Sequence, residues 1–135
     1  MLSLGEAGWA ELTAVNAEIN ARPYRVDLER YGRLDHWTPI DTAGGDCEDY
    51  ALAKQLALLG RGWPLAALRL ATCWVETGGF HAVLTVDSAE GTYVLDNRFT
   101  EPMPWEVLRR RGYRFDRRQA AQGRGWVQVR EPRLG

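Results

Sequence analysis

At Leu68 the chain changes its hydrophobic period, and that change constrains the fold more than any other feature. Before it, apolar residues recur at helical spacing: first Trp9, Leu12, Val15 and Ile19, then Tyr50, Ala51, Ala53, Leu56, Ala57 and Leu58. After it come LRLATCWVE (68–76), FHAVLTVD (80–87) and TYVLDN (92–97), rich in strand formers and separated by TGG and SAEG. The spacing predicts a first helix with Ser3 as N-cap, Glu6 in the capping-box position and Pro23 closing it. A second helix is predicted from near Asp46 to Leu59, with Gly60 as its C-cap. The strands read as an antiparallel meander. PWEVLRRRG (104–112) reads as a short helix, and YRFD and WVQV as further short strands. Residues 24–45, which include Trp37, read as a short helix and a loop. Helices first and a sheet afterwards argue an α+β fold, and 135 residues suit a single domain over 1–135.

Composition narrows the function classes. Net charge is −1, which argues against nucleic acid as a partner. The basic run RRRGYRFDRR (109–118) reads as a solvated face and strand edge rather than a binding surface. No apolar run approaches a membrane span. The N-terminal MLSLGEAGWAEL carries no recognisable secretory signal, so a cytoplasmic location is expected, with periplasmic or phage-associated as the alternatives. Two cysteines, Cys47 and Cys73, are too few for a disulfide framework.

The chemistry concentrates around GGDCEDYALAK. Cys47 sits among three acids, Asp46, Glu48 and Asp49, and carboxylates beside a thiol oppose its ionisation. A helix beginning near Asp46 would place Cys47 in the first turn, where the macrodipole favours a thiolate. Its backbone N–H would then be an unpaired donor available to an oxyanion. Read alone, Cys47 is better taken as a small buried hydrophobe, with Asp46 and Asp49 merely capping the helix. His81 and Asp96 supply the partners. If SAEG forms a four-residue turn, paired positions sum to 179, and His81 and Asp96 share a sheet face as diagonal neighbours roughly 7–8 Å apart. A two-residue slip would set them directly opposite, and a one-residue slip would separate them onto opposite faces. The geometry permits a relay in which Cys47 attacks, His81 moves the proton and Asp96 orients the imidazole.

The pieces VNAEINARPYRVD, DHWTP, GGDCEDYALAK, FHAVLTV and YVLDN, in that order, resemble the bacterial transglutaminase-like cysteine proteinases. The resemblance implies a papain-like or transglutaminase-like fold, N-terminal helices packed on a small antiparallel sheet with the nucleophile at a helix N-terminus. It carries the triad onto Cys47, His81 and Asp96. In the members of that family that clip large adhesins, the acids flanking the cysteine are tied to calcium, which by resemblance are Asp46 and Glu48. A hard cation there would cancel the charge that opposes the thiolate. Two carboxylates are too few for calcium, so carbonyls, water or other acids would complete the shell.

The expected activity is hydrolysis of a peptide or isopeptide bond in a protein or peptide substrate through a thioester. Two alternatives stand beside it: acyl transfer to an amine, as in a transglutaminase, and a non-catalytic calcium-responsive binding module. A zinc site from Cys47, Cys73 and His81 fits no usual ligand spacing.

Overall fold

The computed structural model describes residues 2–21, 42–122 and 125–129, and for 42–46 the backbone alone. The expected short helix and loop at 24–45, with Trp37, lie for the most part outside the described residues. Helix α1 runs Gly5–Asn20 and α2 Thr42–Gly60. Strands β1 (Leu68–Trp74), β2 (Phe80–Ser88) and β3 (Gly91–Leu95) follow, then the two-residue β4 (Met103–Pro104), helix α3 (Trp105–Arg110), β5 (Arg114–Gln119) and β6 (Trp126–Gln128). The strands form one antiparallel sheet in the order β4-β3-β2-β1-β5-β6. The fold is α+β, as the change of period implies.

Two starts differ from the sequence reading. Ser3 does not cap α1: the N-cap is Leu4, with no side-chain cap. The Leu4 N–H is instead taken by the Glu90 carboxylate at 3.1 Å, and Leu4 is buried in the core. A tertiary bond to the β2–β3 turn has replaced a local one. Helix α2 begins at Thr42 rather than near Asp46. Glycine disfavours helix by about 1 kcal/mol relative to alanine, which makes Gly44 and Gly45 look like a break, yet the helix runs through both.

Alternation along β1 sends Leu68 and Leu70 to one face and Ala71 and Cys73 to the other. On the first face, Leu12, Val15 and Ile19 of α1 and Ala51 and Leu58 of α2 pack on Leu70, Leu84, Val86 and Leu95. On the second, Leu108 of α3, Tyr113 and Phe115 pack with Ala71, Cys73, Val83 and Val94. Covered on both sides, β2 is buried almost end to end, which is why its sequence lacks clean alternation. Each fully buried Leu or Val contributes about 1.5–3 kcal/mol.

Candidate active site

Cys47, Ala51, Lys54 and Leu58 follow one another at helical spacing and are all buried, so they form the face of α2 that packs on the sheet. Cys47 is 3% exposed, and its Sγ accepts the Ala82 N–H of β2 at 3.2 Å. It stands in the second turn of α2, where the N–H of residue i is normally bonded to the carbonyl of i−4. The Cys47 N–H is therefore not one of the orphan donors expected to serve an oxyanion, a correction that follows from the earlier start at Thr42.

The β2–β3 register pairs Asp87 with Thr92, Val86 with Tyr93 and Leu84 with Leu95, so paired positions sum to 179 as the turn predicts. The ladder ends at Leu95, and the chain turns directly after it. Asp96 follows directly, diagonal to His81 as that register predicts, and its Oδ1 lies 2.7 Å from His81 Nε2. Asp96 is fully buried. Burial alone would push its carboxyl up. Hydrogen bonds and charge from His81, the Tyr113 hydroxyl and the Arg98 N–H together hold it below the usual carboxylate range. An ionised carboxylate can only accept, so Nε2 carries the proton. Burial pulls His81 down, but hydrogen bonds to Asp96 and the Cys47 thiol, with their charge, carry it up to about 9. Cys47, His81 and Asp96 thus meet in one buried cluster, Asp96 bonded to His81 and the Cys47 sulfur to the backbone of the next residue, Ala82.

Cys73 is paired with His81 across β1 and β2 and is wholly buried. Burial, then the charges of Asp96 and Cys47, push its thiol far above the ordinary range, so it stays protonated. Glu48 is buried beside Cys47, while the Asp46 side chain lies outside the described residues. Among the described residues, no three His, Cys, Asp or Glu side chains gather as a metal-binding group.

Sequence reasoning missed what surrounds Asp96. The Tyr113 hydroxyl donates to Asp96 Oδ2 at 2.6 Å, and Arg98 donates to the Tyr113 oxygen at 2.8 Å. The Arg98 backbone N–H donates to Asp96 Oδ1 at 3.0 Å. Asn20 of α1 donates to the Asp96 carbonyl at 3.1 Å. Lys54, the chain's single lysine, is fully buried, and its Nζ has no hydrogen-bond partner among the described residues. Asn20 and Lys54 lie inside the quoted pieces VNAEINARPYRVD and GGDCEDYALAK, and Tyr113 and Arg98 outside any of them; only the three-dimensional arrangement reveals what each contacts.

The model of one protein family, described as bacterial transglutaminase-like cysteine proteinase, BTLCP, matches residues 1–134. Among solved structures, calcium-bound LapG of Legionella pneumophila superposes with a TM-score of 0.66 at 25% identity, over 89% of this chain and 68% of that one. EGTA-treated LapG from the same organism superposes with a TM-score of 0.67 at 21% identity, over 89% of this chain and 66% of that one. No curated protein sequence is similar enough to this chain to count as a relative.

Proposed function

This chain belongs to the family of bacterial transglutaminase-like cysteine proteinases and is a cysteine peptidase, and from that premise we propose that Cys47, His81 and Asp96 carry its reaction. The observation that supports this most is the buried row in which Asp96 lies 2.7 Å from His81 Nε2 and the Cys47 sulfur accepts the backbone N–H of Ala82, the residue after His81, at 3.2 Å.

In the proposed reaction the Cys47 proton passes to His81 Nδ1, and the thiolate sulfur attacks the carbonyl carbon of the scissile bond. Asp96 stabilises the resulting imidazolium through Nε2–H. As the tetrahedral intermediate collapses, the C–N bond breaks and His81 returns its proton to the leaving amine. The thioester that remains is attacked by water, whose proton His81 accepts. The S–C bond then breaks, and the imidazolium proton returns to sulfur. The substrate is a polypeptide.

Calcium belongs to the same proposal at one remove. Calcium-bound and EGTA-treated forms of LapG are known. Here Glu48 is a buried carboxylate directly beside Cys47, with Asp46 on the other side in sequence, and hard carboxylate oxygens suit this cation. Bound calcium would supply positive charge beside the thiolate. Asp46 and Glu48 would be two of its ligands.

Alkylation of the purified protein by iodoacetamide at pH 6, read residue by residue by mass spectrometry, tests both parts. Cys47 is expected to react at least ~10-fold faster than Cys73, because a low thiolate population limits ordinary thiols at that pH. His81→Gln should slow Cys47 by a similar factor while leaving Cys73 unchanged. Added calcium should speed Cys47 and chelator slow it, with Glu48→Gln abolishing the response. If Cys47 reacts no faster than Cys73, the triad is wrong. If it reacts fast with no response to metal, calcium is removed from the proposal.

A further inference from the structure

A chain of contacts runs from the surface to the buried carboxylate. Glu76, at the start of the β1–β2 turn, grips Arg98 through two bonds, Nη1 to Oε1 at 3.0 Å and Nη2 to Oε2 at 2.8 Å. The same Nη1 donates to the Tyr113 oxygen at 2.8 Å, and the guanidinium lies 5.6 Å from the centre of the Tyr113 ring. Tyr113 then donates to Asp96 Oδ2 at 2.6 Å, while Oδ1 faces His81. A planar fork occupied by a carboxylate on one side fixes the Arg98 head group in space.

The backbone is shaped to make this chain. Gly112 holds φ at +109°, and a Cβ on it would stand 2.8 Å from Glu76 Cβ and 3.3 Å from Glu76 Cα. Only glycine lets the segment that leads through Tyr113 into β5 lie so close to the turn carrying Glu76. The result brings Tyr113 beneath Asp96 and sets Glu76 beside Arg98 at once. The phenol is buried against Phe115, its ring edge-on to His81 at 6.4 Å. Burial and the charge of Asp96 keep it protonated, so its hydroxyl remains a donor.

We infer that Tyr113, fixed by Arg98 and Glu76, is a positioning residue that locks the rotation of the Asp96 carboxylate and so dictates which His81 nitrogen carries the proton in the neutral ring. The inference rests on the triad proposed above. A carboxylate held at one oxygen can turn about its own bond; one held at both cannot. With Oδ2 taken by Tyr113, Oδ1 is kept on His81 Nε2–H. That leaves Nδ1 unprotonated in the neutral ring, which is the form that can accept the thiol proton. Oδ1 also accepts the Arg98 backbone N–H at 3.0 Å, so loss of the phenolic hydroxyl leaves Oδ2 unheld and loosens the carboxylate about that anchor, and the ring then populates both tautomers.

The experiment reads the tautomer directly. With 15N-labelled imidazoles, the Cys47→Ala protein is measured above pH 10, where the ring is neutral. The chain has two histidines, so Cys47→Ala/His81→Gln assigns the signals. The parent should show the Nε2–H tautomer alone. Tyr113→Phe keeps the ring and its packing, and it should give a mixture, with Cys47 alkylation slowed about 10-fold when the cysteine is present. Arg98→Met should move both readouts the same way, less strongly. A Tyr113→Phe protein that keeps pure Nε2–H and the parent alkylation rate overturns the inference while leaving the triad intact, provided Asp96→Asn disturbs both. If Asp96→Asn also changes neither readout, the triad itself has failed, and the role of Tyr113 with it.

Discussion

At the scale of single residues, two buried bases respond to pH in opposite senses. His81 rises from 6.5 to about 9 in the folded protein, burial being outweighed by its bonds to Asp96 and Cys47. The folded state therefore holds a proton that the unfolded chain has released between those values. Its contribution to stability is complete below pH 6.5 and lost as pH rises through 9. Lys54 falls from 10.5 to about 7, because burial outweighs the attraction of Asp96. Between those values the unfolded chain binds the extra proton, so stability rises with pH. From pH 7 to 9 the two effects oppose each other, and the melting temperature is expected to change little across that window. Lys54→Met should expose the falling His81 slope and raise stability at pH 6 by on the order of 1–4 kcal/mol. His81→Gln should expose the rising slope. Thermal melts at half-unit steps of pH check this, and identical flat profiles in both variants would contradict it. Lys54 was legible only as the single lysine in the sequence; its burial depends on the face that α2 turns to β2, which composition does not encode.

At the scale of elements, the most constrained backbone is the meeting of Gly112 with the β1–β2 turn. Gly112→Ala adds a methyl 2.8 Å from Glu76 Cβ, in a φ region that side chains rarely adopt. The expected cost is about 1–3 kcal/mol, measured by urea unfolding. Gly78 has a similar φ of +95° but nothing within 4 Å, so Gly78→Ala should cost less. Equal losses at the two positions would mean that φ alone, and not the close approach, sets the cost. Elements also show which parts of the site can be read in advance. The β2–β3 register was legible because SAEG fixes the turn and a side-chain period of two leaves few alternatives. Asp96 joins His81 a short way along the same hairpin. The start of α2 was not legible, because Gly44 and Gly45 argue locally for a break. Tyr113 was not legible either, since it reaches Asp96 from beyond α3, with no motif joining the two.

At the scale of the whole molecule, one sheet separates two apolar layers. Leu84 lies in the layer under α1 and α2, and Leu108 is the residue of α3 that fills the opposite layer, and both are fully buried. Leu84→Ala and Leu108→Ala should each cost about 2–5 kcal/mol. Val127, exposed on the edge strand β6, should tolerate alanine within about 0.5 kcal/mol. Denaturant midpoints compare the three, and a small loss at either leucine would show that its layer is not part of the cooperative core. The α+β class was legible because helix and strand periods occupy separate halves of the chain. The closing of β5 against β1 was not, because pairing between distant strands leaves no local trace.

The Cys47 contact has a further consequence for how the protein switches off. His81 and Asp96 lie 15 residues apart on one hairpin, but the bond from Ala82 to Cys47 spans 35. The acid–base pair is local, whereas the nucleophile reaches it only when a separate helix docks. A fluctuation that lifts α2 from the sheet, well short of global unfolding, would leave the pair assembled and carry off the sulfur. Catalytic competence is then limited by the free energy of that one docking event, and hydrogen exchange along α2 reports it.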